Sequence, residues 1–195
     1  PVVILLKTWS KGDHVVAREK VKTLNSLKGT SGVLQRGGPH VELVNQMLKA
    51  ANLTWGDINI VWVDDLTGDK GPAEAFRKDE KLDWCCAITP DMLGLVTPEG
   101  GVPGADGTVA GAHVVLSTAE ASRVIADVVV VRSDYLEKNR DSVMKYVSGY
   151  LQATEELLAA KRTYDDGKGK SPEYLAVLKV AQGFYGEKVL PTLET

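Results

Sequence analysis

The stretch from 32 to 88 alternates in a way that few folds accept. Residues 32–35, GVLQ, read as a strand, and Arg36-Gly37-Gly38-Pro39-His40 follows at once. A helix then begins, with Pro39 suited to its first position because the missing N–H costs nothing there. One helical face recurs at His40 or Val41, then Val44, Met47, Leu48 and Ala51. Asn52 can end it, and 53–57 read as a turn. Residues 58–63, INIVWV, form the next strand, 64–72 an Asp- and Gly-rich loop, 73–78 a short helix, and 82–88, LDWCCAI, a third strand. Strand–helix–strand–helix–strand at this spacing implies an α/β fold with a parallel sheet. Ligands of such sheets bind beyond the carboxyl ends of the strands. Three loops leave such ends here, 36–40, 64–71 and 89–91. A fourth, 8–13, follows a strand expected over 2–6.

Outside this stretch two β-branched runs stand apart, Val15 with Val16, and Val128 to Val131. They bracket the alternating segment and suggest a lobe hung on two chain crossings, the layout of a hinged protein. Residues 15–17 read as a short strand, 20–28 as a turn or 3₁₀ element, and 109–116 as a strand. Five glycines and two prolines between 94 and 108 mark a surface loop. A long helix is expected over 140–162, with Val143, Val147, Tyr150, Leu151, Thr154, Leu157 and Leu158 in one stripe. An exposed linker over 165–170 and a last helix over 172–184 complete the reading.

Composition narrows the classes of function. The 195 residues are 44% hydrophobic and 25% charged, an ordinary globular mixture. A formal net charge of −3 gives no electrostatic case for nucleic acid. No apolar run approaches the roughly 20 residues that span a membrane. The chain opens on Pro1 and the apolar VVILL, with no initiator Met and no signal-peptide pattern. We therefore expect sequence ahead of it, in which an anchor could lie. Cys85 and Cys86 are adjacent, a poor geometry for a disulfide and too few ligands for zinc. They read as two small apolar residues of a buried strand.

The Arg36–His40 turn is the strongest local site. Its glycines let backbone approach a ligand, the helix start offers N–H groups, and Arg36 suits a carboxylate, sulfonate or phosphate. The alternative is an ordinary strand-to-helix turn with a solvated arginine. Trp9 could stack on a ligand and Ser10 bond to it, or Trp9 could simply pack its loop. Asp64 and Asp65 could take a cation, but such pairs more often face water. Thr89 and Pro90 could line the site, or only cap and start a helix. His14, His40 and His113 lack metal-ligand spacing, and no nucleophile–base motif is present. No metal or cofactor is implied.

Four segments in order, TWSKGDHVVA, LNSLKGTSGVLQRGGPHVELVNQMLKAANLTWGDINIVWV, AEAFRKDEKLDWCCAITPDM and LSTAEASRVIADVVVVRSDYLEKNRDSVMKYVSGYL, carry a family resemblance. Over about residues 7–160 the chain resembles the solute-binding proteins of ABC transporters of the nitrate/sulfonate/taurine type. The resemblance implies a periplasmic-binding-protein-like α/β fold of two lobes. On that pattern 15–18 and 125–131 are hinge strands and 19–124 the second lobe. Residues 1–14 and 132–195 are then part of a first lobe, incomplete in this chain. It implies capture of a small, anionic or amphipathic solute outside the cytoplasm by lobe closure, and delivery to a membrane permease. By motif position Ser10, Asp13, Gly37, Gly38, Pro39, His40, Thr89 and Pro90 fall near the cleft. Two further readings stand beside it: an enzyme like the pyrimidine-precursor synthase of the same fold, of whose cysteine-rich motif Cys85 and Cys86 are a faint echo, and a ligand-sensing domain fused to an output module.

Overall fold

The computed structural model describes residues 1–98, 100–121, 123–167 and 169–187. It divides into two compact units, one of residues 9–126 and one of residues 1–8 with 127–195. Lys168 of the expected linker and residues 188–195 of the expected first lobe lie outside the described residues.

The larger unit is built on five strands, β2 (Asp13–Ala17), β3 (Ser31–Gln35), β4 (Asn59–Val63), β5 (Trp84–Ile88) and β6 (His113–Ser117). Their order across the sheet is β4-β3-β5-β2-β6. β3 lies parallel to both β4 and β5, as the alternation of strand and helix requires. β2 enters antiparallel between β5 and β6, which nothing in its five residues announces. Residues 15–18, expected as a hinge strand, thus lie in or beside the middle of this sheet. The chain passes between units at Thr8–Trp9 and Ala126–Asp127 instead.

Successive residues of a strand point to opposite faces, and both faces here are covered. Val15, Ala17, Leu34, Trp84 and Cys86 pack with α1 (His40–Ala50). Val16, Val33, Cys85 and Ala87 pack on the other face with Phe76 of α2 (Pro72–Lys78) and Leu95 of α3 (Thr89–Leu95). The two adjacent cysteines therefore belong to different cores, and both are fully buried. The Trp84 indole lies over Gly32, where any Cβ would collide with the ring, and its N–H donates to Thr30 Oγ1 at 3.0 Å.

α1 follows from its sequence. His40, Leu43, Val44, Met47 and Leu48 form the buried stripe, with Glu42 in the first turn and Lys49 in the last. Asn52 takes a left-handed φ of 54°. Leu53 N–H then reaches Leu48 O at 2.8 Å and Asn52 N–H reaches Lys49 O at 3.1 Å, a Schellman ending.

The smaller unit pairs β1 (Val2–Trp9) with β7 (Ala126–Val131), both of which end at the unit boundary. It adds α4 (Ser133–Lys138), α5 (Arg140–Asp166) and α6 (Pro172–Tyr185). α5 runs on into the expected linker. Ser171 caps α6, accepting from Tyr174 N–H at 3.3 Å, and the Tyr164 and Tyr174 rings meet at 5.1 Å. No helix among the described residues is long and apolar enough to cross a membrane.

Candidate ligand-binding site

Strand directions gather the loops of the larger unit along one edge. Because β2 opposes β5, its first residue Asp13 faces Ile88, the last residue of β5. β3 and β4 close beside them at Gln35 and Val63. Ser117, which ends β6, lies across from His14.

Asp13 is the hub of this edge. Its side chain is buried, and its Oδ1 accepts from His40 Nε2 at 2.8 Å while Oδ2 accepts from the Ser10 hydroxyl. Its N–H donates to Thr118 Oγ1 at 3.1 Å, and its carbonyl accepts from Thr118 N–H at 2.9 Å. Burial alone would raise the Asp13 carboxyl. The hydrogen bonds from His40 and Ser10, with the nearby His40 and His14 rings, outweigh burial and hold it below the usual carboxylate range. Loop 10–12 is thereby joined to the start of α1. A second clasp joins it to α3. Gly12 O accepts the Thr89 N–H at 2.8 Å and the Thr89 hydroxyl at 3.2 Å, and His14 Nε2 lies 3.1 Å from that hydroxyl.

The turn into α1 is shaped by its glycines. Gly37 has φ +63°, a left-handed value that disfavours a side chain. Gly38 backs onto the Gln35 side chain, whose amide donates across to Asp64 O at 2.9 Å. Pro39 has helical torsions but precedes the helix, which starts at His40. The N–H groups of this first turn have no partner within the helix. Arg36 is exposed, with its guanidinium 5.9 Å from the Trp62 ring.

The structure thus brings Ser10, Asp13, His40 and Thr89 into one hydrogen-bonded group. Gly37, Gly38, Pro39 and Arg36 surround the helix start, and Pro90 is exposed in the first turn of α3. Trp9, expected in a loop, instead ends β1 and is partly exposed. Thr89, one of whose expected roles was to cap α3, is instead its first residue, with Ile88 at the cap and Pro90 second. Asp64 and Asp65 are exposed beyond β4. Both cysteine thiols are pushed well up by burial, so neither is a thiolate at neutral pH. Sequence reasoning missed His14 and Thr118. Adjacency to Asp13 could have flagged His14, but nothing local points to Thr118, 105 residues away. A separate cavity of about 490 Å³, lined by Leu24, Leu43, Met47, Leu116 and Val124 among others, includes none of the site residues.

A mixed sheet covered by helices on both faces, with its loops gathered at one edge and a second unit joined through two chain crossings, defines a periplasmic-binding-protein-like fold. Solved structures share it. The alkanesulfonate-binding protein SsuA from Xanthomonas axonopodis pv. citri, bound to MOPS, is 17% identical with a TM-score of 0.62, over 97% of this chain and 58% of its own. The periplasmic aliphatic sulphonate-binding protein SsuA from Escherichia coli is 15% identical with a TM-score of 0.53, over 96% and 66%. A protein of Methylobacillus flagellatus KT, named as a periplasmic sulfonate-binding protein, is 20% identical with a TM-score of 0.57, over 83% and 46%. This chain therefore spans only about half to two thirds of their length. No protein-family model and no curated protein matches the sequence.

Proposed function

We propose that this protein captures a small solute outside the cytoplasm and delivers it to an ABC transporter, without transforming it. The observation that carries the reading is the convergence of loops 10–12, 36–40 and 89–90 on one sheet edge, the first two joined through the buried Asp13 carboxylate and the third through Gly12 O. Similarity in fold to the sulfonate-binding proteins supports it.

On this reading the ligand carries an anionic head. Arg36 and the first-turn N–H groups of α1 are the donors for it, and Trp9 offers apolar surface to its body. Asp13 and His40 serve from behind, since their hydrogen bonds run to each other and to Ser10. The chain crossings at Thr8–Trp9 and Ala126–Asp127 are the points about which closure would occur. The arrangement does not favour hydrolysis. Ser10 donates to Asp13, whose carboxyl is held below the usual carboxylate range and is a weak base for the hydroxyl.

Thermal shift against a panel of alkanesulfonates, nitrate, amines and amino acids tests this. Stabilisation by at least one anion, lost in Arg36→Ala, is expected. Stabilisation by none of them would overturn the reading.

A further inference from the structure

We propose that His14 is a positioning residue: donating from Nε2 to Thr89, it locks loop 10–12 to the start of α3, and protonating its ring releases the lock. The geometry stands on hydrogen bonding alone; its functional meaning rests on the solute-capture reading.

A hydroxyl has one hydrogen to give. Gly12 O carries none, so the 3.2 Å bond to it uses the hydrogen of Thr89 Oγ1. That oxygen can then only accept from His14 Nε2, 3.1 Å away. The hydrogen of the neutral imidazole is therefore on Nε2, and Nδ1 carries a lone pair. Nδ1 is buried and has no hydrogen-bond partner among the described residues. Protonation would place an N–H there with no acceptor, a state folded proteins avoid.

The groups around the ring bear on its charge in different directions. Burial disfavours the imidazolium most, the Asp13 carboxylate beside it on β2 favours it, and His40 of α1 opposes it, so the net shift is downward. Thr89 of α3 is neutral, and the strand partners Ala87 of β5 and Ser117 of β6 bring no charge. In a loop-open state the ring is solvated and returns to a pKa of about 6.5. Falling pH therefore favours the open state below about 6.5, by up to about tenfold per pH unit. Because Gly12 O holds both the Thr89 hydroxyl and the Thr89 amide, opening frees that amide.

The test follows the full chain by NMR. Nitrogen-labelled imidazole should show His14 as the Nε2–H tautomer at pH 7.5. Exchange of the Thr89 amide, corrected for its intrinsic rate, should accelerate between pH 6.5 and 5 by up to about tenfold per unit. His14→Gln keeps a donor near the Nε2 position, so it should keep the protection and lose the pH dependence. An Nδ1–H tautomer, or a pH dependence that persists in His14→Gln, overturns the proposal. Butanesulfonate, which does not titrate in this range, separates the two readings. Acid-weakened binding in the wild type that becomes flat in His14→Gln supports both. The exchange result without butanesulfonate binding supports the lock and counts against sulfonate capture. Binding with pH-independent exchange overturns the lock alone.

Discussion

Residues 9–126 bury Trp84, Phe76, Leu34 and Val15 completely between helices on both faces of five strands. The described residues of the other unit bury only Val143 and Ser171. Its large apolar side chains stand in solvent: Val3, Leu6 and Val130 on the strands, Met144 and Leu158 on α5, Val180 and Phe184 on α6. Both units carry amphipathic patterning, so patterning is not what separates them. The difference lies in what is present to cover an apolar face. α1, α2 and α3 lie against a sheet wide enough to receive them, while a two-stranded ribbon offers helices too little surface for independent stability. The larger unit holds its own core, and the candidate loops lie along one edge of its sheet. The smaller one presents apolar surface that the described residues leave uncovered.

The contrast can be broken by experiment. Cys85 and Cys86 lie on opposite faces of the same buried strand, so their reaction with a thiol reagent reports opening of the larger unit alone. The largest effect is expected from Trp84→Ala, which empties a fully buried site and leaves Thr30 without its indole donor. It should lower stability by about 3–5 kcal/mol in urea titrations followed by thiol reactivity. A change below ~1 kcal/mol would remove the distinction between the units.

Asp13→Asn comes next. It keeps the shape but leaves either Ser10 or His40 facing an N–H group instead of an acceptor. A loss of about 1–3 kcal/mol is expected from thermal unfolding.

Acid should act on the larger unit in two steps. The His14 pKa is lowered in the folded state, so the unfolded chain binds the proton first and stability falls as pH drops below about 6.5. The Asp13 pKa is also lowered, so its contribution is present above 3.8 and is lost as pH falls through the depressed value. Thiol reactivity measured from pH 8 to 3, taken relative to that of the unfolded chain at the same pH, should rise in both windows, and a flat ratio would contradict the geometry at Asp13 and His14.

The smallest effect is expected in the other unit. Phe184 is 83% exposed, and Phe184→Ala should shift stability by no more than about 0.5 kcal/mol in urea titrations followed by circular dichroism of the helices. A large loss would show that something covers this ring, and would narrow the contrast from the other side.

The sequence by itself determined the local elements and their order in the larger unit. The alternation from Gly32 to Ile88 sufficed for the parallel core β4-β3-β5, because a helix between two strands leaves a parallel crossover as the short solution. Pro39, Asn52 and Thr89-Pro90 marked helix ends, since each acts on its own backbone within a residue or two. The candidate loops were legible for the same reason. Only the tertiary structure decided that β2 slips antiparallel between β5 and β6, and that Asp13 thereby meets both His40 and Thr118. Those contacts span 27 and 105 residues. No local periodicity encodes them, because which strand fills the gap beside β5 depends on every other strand being in place. The pair Val15–Val16, read as a bracket around a lobe, became part of an interior strand of that lobe's sheet by the same logic. β-branched residues announce a strand, but burial on both faces is conferred by neighbours that the strand itself does not name.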